Sequence, residues 1–476
     1  MHISNTVRAF ILFALVALLG CSKDNPPEPK VDPNMATLLT QKINTFIYLA
    51  MDSYYLWQAQ MPTNIDLRYE KEPKVYFDKL LYKPEDRWSI ITDDYDAVSA
   101  GREGVETTFG YDLAYGAFPD NSYFAIVRFV FPDSPAAQAG LMRGSLITAV
   151  NGESITDENY QQLYYSARNE LTLGRLEDNV IYDNGTITIE ARNMSLSPII
   201  EEKILEIDNQ KIGYLHYSNF FSGSEPALDA LFGRFKAAGV HHLVLDLRYN
   251  GGGALNTAVH LGSLIAPERV LNGNTILATC QWNAYYQDYW AKNNPDQLRV
   301  LFETKEKAVN NLNLDKVYIL TGSGSASASE LVMTGLAPYM DVVKIGNTTH
   351  GKYTASFLFQ VEEYVSGAWS PIRGAENWGI QPIAFRYANA LGVTDFKDGF
   401  VPDYAVQDAL ISGVKPLGDS EEPLLARAIE LITGRPAPAV FFNTRVDGFT
   451  PAGHLLSRPD YFQGSVAVER PPALSL

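Results

Sequence analysis

Cysteine is nearly absent: the chain has two, Cys21 and Cys280. A disulfide framework is therefore excluded, and if Cys21 is modified, Cys280 is left alone as a small buried apolar residue. Positive charge is also short. Lys and Arg number 38 against 55 Asp and Glu, a formal net charge of -17, and no basic run breaks the acidic balance. A phosphate backbone would be repelled, so nucleic acid is excluded as a partner. The seven histidines show no HExxH or comparable ligand spacing, so the chain carries no sequence case for a metal, and no cofactor is expected. No internal repeat is visible, and the apolar run over residues 9–19 is too short to span a bilayer comfortably.

What is present is a 476-residue chain with the apolar and charged fractions of a globular protein, enough for several domains. Its first twenty residues place His2 and Arg8 before the apolar run, which ends Leu18, Leu19, Gly20, Cys21. That ending resembles the lipobox of bacterial lipoproteins. The resemblance implies a signal peptide over residues 1–20, a lipidated Cys21 that attaches the chain to membrane, and residence in the bacterial cell envelope, at the periplasmic face or cell surface. Residues 21–35 are polar and proline-rich, as a tether would be.

From residue 36 the pattern changes. Leu38, Leu39, Ile43, Ile47, Met51 and Tyr55 recur at helical spacing, and a second apolar set follows Pro73, so residues 36–98 read as a helical domain. The aromatic stripe Tyr54, Tyr55, Trp57 reads as packing. Residues 99–196 become short strands and turns. There Ser134 can cap a helix with Pro135 at its first position and Gly140 after its end, and Asn151-Gly152 suits a tight hairpin. This segment resembles a PDZ domain of bacterial proteases. The resemblance implies capture of a peptide C-terminus by strand addition, with Phe109, Gly110 and Tyr111 in the carboxylate loop and a helix over residues 157–169 as the groove wall.

From residue 197 the pattern alternates between strand and helix, up to about residue 417, with a last helix over residues 421–433 in a C-terminal segment of residues 418–476. Two glycine-rich turns follow apolar strands, at residues 251–253 and 324–327, where sites form in α/β sheets. In the second, a strand, a Gly/Ser/Ala loop and a helix could set a serine hydroxyl at a helix N-terminus, where an oxyanion is favoured. Lys352 follows after one more strand. Three schemes are open on the residues alone: a serine with neutral Lys352 as base, a serine with His350 as base, and, weakly, metal chemistry.

GSASASE (residues 324–330), DLRYNGGG (246–253), the PDZ-like segment and THGK (349–352) together resemble the C-terminal processing peptidases, over roughly residues 40–415. The resemblance implies a multidomain α/β protein. Its catalytic core, over residues 197–417, would be ClpP/crotonase-like, with an inserted β-rich PDZ domain and an N-terminal helical domain. It implies Ser327 as nucleophile, Lys352, twenty-five positions later, as general base, and the backbone N–H groups of Ala328 and Gly253 as oxyanion donors. Asp246, Arg248 and Glu330 match supporting positions, read as an ion network fixing the glycine loop against the nucleophile helix. Ser325 and Ser329 read as loop hydrogen bonding and helix capping. Ser356 stands where the family has a lysine-orienting glutamine. The expected function is a serine endopeptidase acting on protein or peptide C-termini; the alternative is a weak or inactive peptide-binding lipoprotein of the same fold.

Overall fold

A computed structural model describes residues 32–178, 180–365, 368–436, 450–451 and 466–467. The expected signal peptide, Cys21 and most of the tether lie outside the described residues. The centre of the molecule is a six-stranded sheet in the order Ile199–Ile207, Gln210–Tyr217, His242–Asp246, Lys316–Thr321, Asp341–Gly346, Tyr404–Ala405. Its first pair is antiparallel and the other four pairings are parallel. The parallel strands are apolar runs because helices cover them: Leu243, Val244, Leu245, Val317 and Ile319 are wholly buried. The helices Glu225–Ala238, Leu255–Ile265 and Ala328–Leu336 follow from the same logic. All nine residues of Ala328–Leu336 are buried, so this helix runs through the interior rather than over a surface.

A second six-stranded sheet is ordered Gly253–Ala254, Val466–Ala467, Thr354–Ser356, Ile383–Asn389, Ile276–Trp282, Arg299–Leu301. It packs across helix Ala328–Leu336, and Cys280 lies buried within it, its thiol pushed up to about 12 by burial. The expected helix near Ala254 begins at Leu255.

Helix Leu38–Tyr54 has the anticipated face, and its Ile43, Phe46, Ile47 and Met51 pack into a core continuous with that of the central sheets. Tyr54 stacks on Tyr286 at 5.1 Å, and Tyr55 is buried with its hydroxyl donating to Asp86 at 2.8 Å, so the aromatic stripe is packing.

The PDZ-like region has its own core, including Leu113, Val127, Ile147 and Leu171. Its sheet runs Thr450–Pro451, Tyr111–Ala117, Tyr123–Val130, Leu146–Val150, Arg168–Glu177, Val180–Glu190. Ser134 Oγ accepts from Ala137 N–H at the start of helix Pro135–Gln138, and Asn151 and Gly152 both take positive φ in the hairpin, as read from the sequence. The expected helix over 157–169 contracts to Gln162–Tyr165. From Arg168 the chain is a strand, with Asn169 and Leu171 buried on alternate positions, a period-2 signal that competed with the helical one.

Arg248 ties the central sheet to the last helix, Pro423–Thr433. Its guanidinium is buried and meets Asp246 at 2.7 Å, Glu422 at 2.6 Å and Asp408 at 3.0 Å. Burial raises the Asp246 carboxyl, but Arg248, His216 and the Tyr214 hydroxyl together outweigh it and hold the pKa at about 2. Replacing Arg248 by Ala leaves buried carboxylates without a cation. The expected loss in a urea titration is roughly 3–5 kcal/mol, and a loss below about 1 kcal/mol would contradict this account.

Candidate active site

Strand Lys316–Thr321 ends in the Gly/Ser/Ala loop, and Ser327 sits at the turn into helix Ala328–Leu336 with φ 57° and ψ -107°. That is a strained conformation for a residue with a Cβ, of a kind that persists only where surroundings over-determine it. Here they do. Ser325 Oγ donates to Leu247 O at 2.6 Å, Ser329 Oγ donates to Asn250 O at 3.0 Å, and Ala326 N–H donates to the same carbonyl. Both flanking serines thus lash the turn to the DLRYN loop; the expected capping role falls to neither. Ser327 Oγ itself is buried and has no hydrogen-bond partner among the described residues.

Glu330, one turn into the helix, is the hub. Its Oε2 accepts the N–H of Ser327 at 2.9 Å and of Lys352 at 2.8 Å, and its Oε1 accepts the N–H of Gly351 at 2.7 Å and the hydroxyl of Thr349 at 2.6 Å. One carboxylate oxygen therefore holds the backbone of both candidate dyad residues. Burial pushes the Glu330 pKa up to about 7, against the pull of these four donors. Tyr387, which the sequence reading missed, lies with its hydroxyl 2.9 Å from the carbonyls of both Ser327 and Lys352.

Lys352 is 1% exposed. Desolvation lowers its pKa to about 7, with Asp86 and Glu330 opposing and Arg102 assisting. Its Nζ lies 5.5 Å from the centre of the Trp88 ring. Asp86, Trp88 and Arg102 also escaped the sequence reading, because nothing local connects residues 86–102 to position 352. His350 also lies against Trp88, whose Nε1–H is directed at its Nε2 at 3.5 Å, but it is exposed, which leaves Lys352 as the buried base candidate.

The glycine triplet lies against the nucleophile turn. A Cβ on Gly252 would stand 2.8 Å from Ser327 Cβ and 3.0 Å from Ala328 N, so only glycine permits this approach. Phe220 N–H donates to Gly252 O, and Ala254 N–H donates to Phe220 O. By strand alternation the N–H and C=O of Gly253 face the opposite side, toward strand Val466–Ala467. Ala328 N–H opens the buried helix beside it.

Two supporting assignments change. Asp246 and Arg248 form an ion network, as expected, but it runs to Asp408 and Glu422. Glu330 has no part in it, because its acceptor capacity is used by backbone N–H groups and Thr349. Ser356 Oγ accepts from Gln381 Nε2 of strand Gly379–Gln381 at 2.8 Å, and the Gln381 Oε1 is buried without a partner among the described residues, so Ser356 is tied to that strand. In the PDZ-like loop, Phe109 and Tyr111 are core side chains, and the Gly110 N–H donates to Thr108 Oγ1 at 3.1 Å. Strand Tyr111–Ala117 stands next to the margin of this sheet, where Thr450–Pro451 pairs with its end at Gly116 and Ala117.

Comparison with known proteins agrees with this layout. Residues 211–406 match the model of peptidase family S41, residues 42–90 the peptidase S41 N-terminal domain, and residues 126–173 a PDZ domain. The chain is 28% identical to an S41-assigned protease structure from Bacteroides fragilis, with a TM-score of 0.67 over 82% of this chain and 97% of that one. It is 24% identical to a carboxyl-terminal-processing protease of Synechocystis over 63% of each chain. A carboxyl-terminal-processing protease of Picosynechococcus is 22% identical over 63% of this chain and 65% of its own. The chain thus spans a little under two thirds of the length of these curated relatives.

Burying an amine at Lys352 opposes folding. With a folded-state pKa of about 7 against an ordinary 10.5, the unfolded chain binds more protons between those values, so this group's contribution to stability improves as pH rises from 7. Lys352→Met removes the cost, on the order of 4 kcal/mol at pH 7. The expected outcome in denaturant titrations is a more stable variant whose advantage shrinks between pH 7 and pH 9; an equal or lower stability at pH 7 would rule this out.

Proposed function

The chain belongs to peptidase family S41, and from that premise we propose that it is a serine endopeptidase in which Ser327 and Lys352 form the dyad. The observation that carries the proposal is the Glu330 oxygen shared by the Ser327 and Lys352 amides, beside a buried lysine whose pKa is about 7. Neutral Lys352 takes the Ser327 Oγ proton as the oxygen attacks the substrate carbonyl. The developing oxyanion meets the N–H groups of Ala328 and Gly253. Lys352 then returns the proton to the leaving amine, and water repeats the sequence on the acyl-enzyme. Strand addition at the edge Tyr111–Ala117 presents a substrate C-terminus, a reading supported by the PDZ match and by relatives named for carboxyl-terminal processing. Anchoring through a lipidated Cys21 at the bacterial envelope is part of the same proposal, and rests on the lipobox-like residues 18–21. Metabolic labelling with a fatty acid, lost in Cys21→Ala, tests it.

Digestion of a casein tests the dyad. Ser327→Ala and Lys352→Ala each lower the rate roughly 10⁴-fold or more; unchanged cleavage by either removes it from the mechanism. The wild-type rate rises with pH through about 7 and levels above, since the base acts as the neutral amine. Glu330→Gln cuts the rate and moves that midpoint below 7, because the carboxylate raises the lysine pKa and the amide does not. A merely structural Glu330 would leave the midpoint in place.

A further inference from the structure

Arg102 ends the helix Tyr95–Arg102, and its guanidinium is a cation without an anion. The Nε and Nη2 atoms are buried, with no hydrogen-bond acceptor and no carboxylate partner among the described residues. Three other arginines that are buried or half-buried are paired: Arg128 with Asp112, Arg143 with Asp408 and Arg248 with Asp246. Burial pulls the Arg102 pKa down to about 10, opposed by the Tyr95 phenol, so the group stays charged at neutral pH. An unpaired buried cation opposes folding, and an apolar side chain of similar length would pack there at less cost.

The edge in question is the one that binds carboxylates. The Nε and Nη2 hydrogens lie side by side on the planar guanidinium and match the two oxygens of one carboxylate. Arg248 uses this edge on Asp246, with Nε 3.0 Å from Oδ1 and Nη2 2.7 Å from Oδ2, and Arg128 uses it on Asp112. In Arg102 these are the two atoms buried without an acceptor.

The helix also joins two sides of the candidate site. At its start, Tyr95 N–H donates to Asn377 O at 2.7 Å, and a Cβ on Gly379 would stand 2.7 Å from the Tyr95 ring. The strand that begins at Gly379 carries Gln381, the partner of Ser356. At its end, Arg102 O accepts Ser222 N–H at 2.8 Å, two residues beyond Phe220, which pairs with Gly253. The Arg102 charge is felt at Lys352, whose pKa it lowers.

We infer that Arg102 is a specificity-determining residue of this site: its Nε and Nη2 edge takes a carboxylate of the bound chain, from an Asp or Glu side chain or from the C-terminus. This deepens the endopeptidase reading and rests on it. It is separate from peptide capture at the PDZ-like sheet. A carboxamide in the same place carries no charge and offers one acceptor oxygen where a carboxylate offers two, so one buried donor stays unpaired and the neutral chain is rejected.

Peptides of casein sequence test this in two arms. One arm compares amide-capped peptides with Glu or Gln at each position in turn, and the other compares a free with an amidated C-terminus. The readout is the ratio of kcat/KM within each pair, in which any loss of folded enzyme cancels. Wild type is expected to favour the carboxylate member of a pair roughly tenfold or more, the effect of about 1.4 kcal/mol, and Arg102→Gln to lose that preference. The arm that responds identifies the source of the carboxylate. No preference in either arm, or one that survives Arg102→Gln, overturns the inference and leaves the endopeptidase reading standing. If no peptide is cleaved, that reading falls, and the same pairs are compared by affinity: a carboxylate preference lost in Arg102→Gln keeps the binding role, and equal affinities overturn it. In a urea titration Arg102→Met is expected to be at least as stable as wild type; a lower stability would reveal a structural counter-ion and overturn the inference as well.

Discussion

The whole site depends on one buried carboxylate. Taking Glu330 out of water is costly, and its raised pKa records that cost, but four donors converge on it from Ser327, Thr349, Gly351 and Lys352. Because one of its oxygens serves the amides of both Ser327 and Lys352, neither segment can shift without unpairing a buried group. That is what allows Ser327 to be held at φ 57° against its own preference. The Tyr387 hydroxyl, facing the carbonyls of the same two residues, closes the arrangement from the other side. The candidate nucleophile and base are thus positioned through their backbones.

A second buried network sets the opposite wall. Arg248 neutralises Asp246 and Glu422 and shares Asp408 with Arg143 of the PDZ-like region, whose Nη2 lies 2.5 Å from the same carboxylate oxygen. Arg143 also donates to the Tyr249 hydroxyl at 2.7 Å, and Tyr249 directly precedes the Asn250 that holds the nucleophile turn. The PDZ-like region and the loop that carries the proposed oxyanion donor therefore share one ion cluster. Displacing the PDZ-like region must reorganise charges that the glycine loop relies on.

The parts legible in sequence are those with a local signature. Strand, turn and helix around Ser327, the glycine triplet, the Ser134 cap and the Asn151-Gly152 hairpin each follow from a few neighbouring residues. What escaped is long-range or too short to be periodic. Glu330 was legible as a support but not as a hub, because its partners are amide groups that no side-chain pattern reveals. Tyr387 and Asp86 reach the site from distant segments, and the partner of Ser356, Gln381, arrives on another strand. The segment beyond residue 436 could not be placed, since a two-residue strand has no alternation to read.

Lys352 is 1% exposed with a strand lying along Thr354–Ser356, and desolvation is the largest influence on its pKa. In the proposed mechanism that burial favours the neutral amine that acts as base, whereas Asp86 and Glu330 both favour the ammonium. The proposed base therefore depends on the packing that keeps water from its amine more than on any one charged neighbour.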